Sequence, residues 1–413
     1  MIFQSIIGLL SFILIAIALS ENRKKISYRA IGVALAIQLV IGLIFLKSEI
    51  VRQAFLFLNK VVLAVESATG DGTAVLFSYL GGGPLPFQEP YPGAAFIFAF
   101  KALPILLVVS ALSALFFYWG IIPAVVKFFS FLMSKTLKTG GAEGIGVSAN
   151  IFVGMVESPL LIKPYLNTMT RSELFTVMTC GMATIAGTVM VLYASILGSS
   201  IPGILGHIIT ASIISAPAAI LVSKIMIPET EPLTDGSITD DQGYSSSMDA
   251  VTKGTIQGVE LLINIVAMMI VLIALVSLLN MILGVFPAVS GEAVSLQRIL
   301  GWGMAPVSWL MGIPWSETLT TGSLMGTKTV LNEFIAFLNL SKLPEGALSD
   351  RSRIIISYAM CGFANPGSLG IMIGGLGVMA PGRRDEIIAL GIRSVIAGTI
   401  ATCMTGAVAG LFL

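Results

Sequence analysis

Two glutamates stand in apolar surroundings where a carboxylate is costly. Glu157 lies in a stretch over about 140–165, beside Gly154 and Pro159, and Glu333 lies in a second over about 312–338. A carboxylate at membrane depth is tolerated only when it is paired or hydrated. As a structural group, each glutamate would pair with Lys163 or Lys328, or sit near the headgroups. As a functional group, each would accept hydrogen bonds from a polar, hydroxyl-rich solute. Glu317 is open to the same two readings. Asn365 and Ser368 are three residues apart, on one face if the segment is helical, with Pro366-Gly367 between them. They could bind solute or satisfy the broken backbone. Asn150 and Thr184 bring an amide and a hydroxyl. Together with free carbonyls these suit a small hard cation such as sodium, or plain helix–helix hydrogen bonds.

The chain that must position these groups has 413 residues, 56% hydrophobic and only 11% charged. A soluble domain is nearer a quarter charged. A soluble enzyme, a disordered protein and a nucleic-acid binder are thereby excluded. The net charge of +1 gives no field to recruit a polyanion. Cys180, Cys361 and Cys403 lie inside apolar runs and make neither a disulfide framework nor a metal-ligand spacing. A single histidine, His207, leaves little room for histidine chemistry. No nucleophile–base pair is present, so the chain reads as a non-enzyme without an organic cofactor.

An all-α polytopic membrane protein follows. A crossing helix needs roughly 20 apolar residues, and eight uncharged stretches qualify: 1–20, 30–46, 102–126, 174–198, 201–223, 261–286, 354–380 and 394–413. Arg23, Lys24, Lys25 and Arg29 follow the first, which puts that loop inside and the N-terminus outside. Residues 51–64 are too short and too charged to span and suit an interfacial helix. Residues 228–252 read as a polar linker. The two interrupted stretches are each long enough for a re-entrant hairpin of two half-helices, which requires cover by protein or water. After the first comes Cys180-Gly-Met-Ala-Thr184; after the second, Cys361-Gly-Phe-Ala-Asn365. A hairpin with a glutamate, then a helix broken at Cys-Gly-x-Ala, then a final span, occurs twice. Such paired interruptions point to a transporter built from inverted repeats, with its site near the midplane.

At these residues the sequence resembles the concentrative nucleoside transporters, sodium- or proton-coupled importers. The motifs are Asn150-Ile-Phe-Val-Gly-Met-Val-Glu-Ser-Pro-Leu-Leu-Ile-Lys-Pro-Tyr165, Leu331-Asn-Glu-Phe-Ile-Ala336 and Cys361-Gly-Phe-Ala-Asn-Pro-Gly-Ser-Leu-Gly-Ile-Met372. The resemblance implies a homotrimer in the bacterial cytoplasmic (inner) membrane. Each protomer would have eight spans, two re-entrant hairpins and an interfacial helix, with a transport domain moving against a scaffold by alternating access. Residues 1–130, with one later helix, would be mainly scaffold. Residues 131–227 would form the first transport repeat, 228–252 a cytoplasmic linker, and 253–413 the second repeat. Glu333, Asn365 and Ser368 would hold the ribose. Glu157 would face the base, with Leu261 and Phe363 as apolar walls. The Asn150 and Thr184 side chains, with the Val153 and Ile185 carbonyls, would bind sodium, with protons as the alternative coupling ion. Many family members read Gly-Gln-Thr-Glu where this chain has Gly154-Met155-Val156-Glu157. Two polar base contacts are thereby lost, which keeps a nucleobase or modified nucleoside open as an alternative solute.

Overall fold

A computed structural model describes residues 2–89, 95–137, 139–198, 200–236, 243–288 and 293–413. Lys138, Ser199 and residues 237–242 of the expected linker lie outside the described residues. Among those described, every regular element is helical. The first half of the chain forms α1 (Ile2–Ala18), α2 (Tyr28–Lys47), α3 (Glu49–Phe77), α4 (Phe98–Lys101), α5 (Ile105–Tyr118) and α6 (Ile121–Leu137). Next come α7 (Gly141–Asn150), α8 (Glu157–Leu160), α9 (Arg171–Ala183), α10 (Gly187–Leu197) and α11 (Ile204–Met226). The second half holds α12 (Ser247–Leu283), α13 (Leu296–Leu310), α14 (Thr318–Val330) and α15 (Glu333–Ser341). It ends with α16 (Asp350–Met360), α17 (Pro366–Met379) and α18 (Arg384–Phe412).

Side-chain caps set many of the starts. Thr170 Oγ1 accepts from the Glu173 N–H (3.1 Å), while Glu173 Oε2 accepts from the Thr170 N–H (2.9 Å), a reciprocal box at the head of α9. Ser246 and Ser349 cap α12 and α16 in the simpler way. Seven helical stretches among the described residues are long and apolar enough to cross a membrane, and Ile2–Ala18 and Pro366–Met379 are shorter apolar helices. α11 is sunk among its neighbours, whereas α12 packs one side on α5 and the core and leaves the other side, with Ile263 and Ile270, exposed.

Both interrupted stretches fold as hairpins of short helices, α7–α8 and α14–α15. The helices after them break at the Cys-Gly-x-Ala motif in the second repeat, α16 from α17 at 361–365, and just after it in the first, α9 from α10 at 184–186, since Cys180–Ala183 remain helical. Contacts at the ends of the helices give the two hairpins opposite orientation. On one face, Glu21 pairs with Arg171 (3.0 Å) and with Arg393, and its N–H donates to the Met226 carbonyl (2.9 Å). Arg383 on the same face donates to the carbonyls of Leu166 (2.9 Å) and Met169 (2.6 Å). The first hairpin hangs from this basic face, tied there by the ion pair of Glu143 with Lys224 (2.9 Å). On the other face, Ser5 Oγ donates to the Met311 carbonyl (3.2 Å), and Arg351 bridges the carbonyls of Gly312 and Gly410. The second hairpin starts there, and Glu317 accepts from Ser349 Oγ (3.1 Å), a structural role. The repeats are thus inverted relative to each other.

Four expectations need correction. The helix expected over 51–64 runs on through Gly70 and Gly72 to Phe77, because no proline interrupts the second half of α3. The expected span 102–126 is cut at Gly120, whose φ of +76° a side chain would resist, so α5 and α6 are separate. α12 starts at Ser247, inside the expected linker and well before 261, because Ser246 caps it. α13 matched none of the expected spans; its glycines, Arg298 and Pro306 dilute its hydropathy, and it packs along α14.

Candidate functional site

Where the two hairpins and the two broken helices meet, a cavity of about 250 Å³ opens. Glu333 is the first residue of α15, where the unpaired N–H groups of the helix favour negative charge. Its carboxylate is held from two sides. Tyr193 of α10 donates its hydroxyl to Oε1 (2.7 Å), and Asn365 donates Nδ2 to Oε2 (3.0 Å). Asn365 is itself locked, since Oδ1 caps α17 by accepting the Ser368 N–H (2.8 Å). Each carboxylate oxygen can accept about two hydrogen bonds. Each therefore keeps capacity for a hydroxyl from the cavity, and Asn365 keeps a second N–H and Ser368 its Oγ. This cluster suits a neighbouring pair of hydroxyls on a ring.

Glu157 faces it from the first hairpin. Its carboxylate lies over the Gly154 backbone, where an added Cβ would come within 2.1 Å of Oε2. No ion pair joins Glu157 or Glu333 to a lysine or arginine among the described residues, so pairing with Lys163 or Lys328 does not occur there. Met155, Val156, Leu261 and Phe363 line the same cavity and make that side of it apolar.

The second group of residues meets behind the first hairpin. Thr184 follows the last residue of α9, and its Oγ1 lies 2.9 Å from the Cys180 carbonyl and 3.1 Å from the Asn150 carbonyl. The Gly187 N–H donates to the Phe152 carbonyl (3.1 Å), which fixes the hairpin turn against the break containing Ile185. With its proton turned to a carbonyl, the Thr184 hydroxyl presents lone pairs. Asn150 is buried and its Nδ2 has no partner, so the protein does not lock this amide as it locks that of Asn365. All the donors are neutral oxygens, and the described residues hold no cluster of three His, Cys, Asp or Glu side chains. Such a set fits an alkali cation and not a transition metal.

The whole chain has known counterparts. The description "Na+ dependent nucleoside transporter N-terminus" matches residues 7–80, "Nucleoside recognition" matches 99–200, and "Na+ dependent nucleoside transporter C-terminus" matches 207–410. Nucleoside permease NupC of Helicobacter pylori is 35% identical over 99% of this chain and 97% of its own. The uncharacterized transporter YutK of Bacillus subtilis is 38% identical over 99% and 98%. The chain belongs to the concentrative nucleoside transporter family. Among solved members, CNTnw in an inward-facing substrate-bound state superposes with a TM-score of 0.92 at 36% identity, covering 100% of this chain and 98% of that one. CNTnw variants in outward-facing and intermediate states match about as well, for example at 0.91. These relatives are transporters and permeases, not enzymes.

All eight residues expected from the concentrative nucleoside transporter resemblance to touch solute line the one cavity: Met155, Val156, Glu157, Leu261, Glu333, Phe363, Asn365 and Ser368. Of the expected cation ligands, Asn150 and Thr184 are in direct contact, and Val153 and Ile185 flank them on the hairpin turn and in the helix break. Sequence reasoning missed Tyr193, which grips Glu333. It also missed Asn332, whose Oδ1 caps α15 by accepting the Ile335 N–H (2.9 Å), and Asn264 on the α12 wall.

Proposed function

We propose that this chain imports nucleosides, driven by a sodium gradient, as a homotrimer in the bacterial cytoplasmic membrane. The observation that carries the reading is Glu333 held by Tyr193 and Asn365 in a cavity that Glu157 faces from the opposite hairpin. Ribose hydroxyls donate to the free lone pairs of Glu333 and accept from Asn365 Nδ2 and Ser368 Oγ. The base lies toward Glu157 between Leu261 and Phe363. With Met155 and Val156 on the hairpin tip, Glu157 is the charged group left to hydrogen-bond the base, and the apolar walls around it discriminate weakly. Sodium is carried at Asn150 and Thr184, with the Val153 and Ile185 carbonyls completing the set. Loading it ties the hairpin turn to the helix break, so ion and solute sites are coupled through the same backbone. The outward apolar surface of α12, including Ile263 and Ile270, needs lipid or another copy of the chain to cover it.

The test is labelled uridine uptake into vesicles under an imposed sodium or proton gradient, with Glu333→Gln as the variant. Accumulation driven by sodium and lost in a folded Glu333→Gln protein is the expected result. Accumulation driven only by protons would overturn the coupling ion, and full uptake by the variant would overturn the ribose assignment.

A further inference from the structure

The solute cavity does not end at Glu157. A second space of about 110 Å³ adjoins it, and Gly154, Glu157, Thr188 and Leu261 line both. The second space has its own polar groups: Ser110 and Ser113 on α5, Gln257 on α12, and Tyr244 just before α12. It lies between the first hairpin and the head of α12, on the way to the basic face.

Tyr244 is placed there by tethers that the uptake reading does not use. Lys253 Nζ donates to the Gly243 carbonyl (2.7 Å) and pairs with Asp249 (2.8 Å), and Asp249 Oδ2 accepts the Ser245 N–H (2.9 Å). Trp119 Nε1 donates to Ser247 Oγ (3.1 Å), fastening the head of α12 to the end of α5. This anchoring of the linker's end also sets the start of α12. Here it holds one aromatic side chain against a polar chamber that shares a carboxylate with the solute site.

We propose that this chamber takes the nucleobase of a departing nucleoside, a second, transient station on the path to the cytoplasmic face, entered past Glu157 and covered by Tyr244. The proposal rests on the uptake reading. A nucleoside leaving the ribose cluster gives up its hydrogen bonds there before it reaches water. Hydroxyls, an amide and a phenol met in sequence let it exchange hydrogen bonds one at a time, with Glu157 serving both stations. The chemistry is that of a nucleobase edge, which donates and accepts in one plane and stacks on a ring. Polar contacts missing at Met155 and Val156 are thus offered one step further along.

The experiment compares uridine KM at the two faces, using right-side-out and inside-out vesicles, for wild type, Tyr244→Ala, Tyr244→Phe and Gln257→Ala. Losing a station only on the inner path should raise KM at the cytoplasmic face about fivefold or more, leaving the outer KM within about twofold. Tyr244→Phe, which keeps the ring, should fall between. Unchanged cytoplasmic KM in folded variants, or equal changes at both faces, would overturn the proposal. If Tyr244→Ala does not fold, Gln257→Ala carries the same comparison. A wild-type protein that moves no nucleoside would instead sink the uptake reading itself.

Discussion

At the residue scale, the binding cavity depends on close approaches between few atoms. Gly154 is one: its hydrogen leaves the room that the Glu157 carboxylate occupies. Gly154→Ala should push that carboxylate aside while leaving the buried core intact. A rise in uridine KM on the order of tenfold, the loss of one charge-assisted hydrogen bond, is expected in uptake assays. An unchanged KM would show that Glu157 does not touch the solute. Glu157 and Glu333 were legible in the sequence because a formal charge in an apolar run has few innocent explanations. Tyr193 was not legible, because an aromatic residue in such a run is most often packing, and only coordinates reveal its hydroxyl on Glu333. Asn264 escaped for a similar reason, since an amide on a long span reads as a helix–helix contact.

At the element scale, interruption was the readable signal. Proline, glycine and charge inside apolar stretches marked both hairpins and both helix breaks. The same logic failed where a break rests on one glycine, as at Gly120, and where a helix carries enough polar residues to resemble a loop, as in α13. The first hairpin also depends on a contact that no local pattern announces. Glu143 is fully buried, and Lys224 of α11 reaches it across more than 80 positions of chain, holding Glu229 as well (3.2 Å). Removing one partner of a buried pair typically costs about 3–5 kcal/mol. Lys224→Met should therefore lower the melting temperature in detergent clearly, and the double change with Glu143→Gln should recover part of the loss. Equal melting of Lys224→Met and wild type would mean the pair contributes nothing to anchoring the hairpin.

At the scale of the whole molecule, the two faces are chemically distinct. Arg171, Arg383 and Arg393 gather on the face that holds the first hairpin, with Glu21 among them. The basic loop after α1 lies on the same face, and the positive-inside rule makes that the face expected in the cytoplasm. The three native cysteines are buried, which leaves a quiet background for labelling. A membrane-impermeant maleimide should react with Lys25→Cys only in inside-out vesicles and with Lys342→Cys only in right-side-out ones. Reaction of both from one side would refute the inverted arrangement.

The bond between Tyr193 and Glu333 has a mechanical corollary. It joins the two halves of the internal duplication across the middle of the binding chamber, so the halves cannot part like a clamshell without stripping the carboxylate of its proton donor. Cargo must then ride in a vessel that stays shut along that seam. On the proposed uptake reading the gates then lie away from that seam, at the α5 and α12 walls that line the smaller chamber, and those walls are where a blocking ligand would jam the machine.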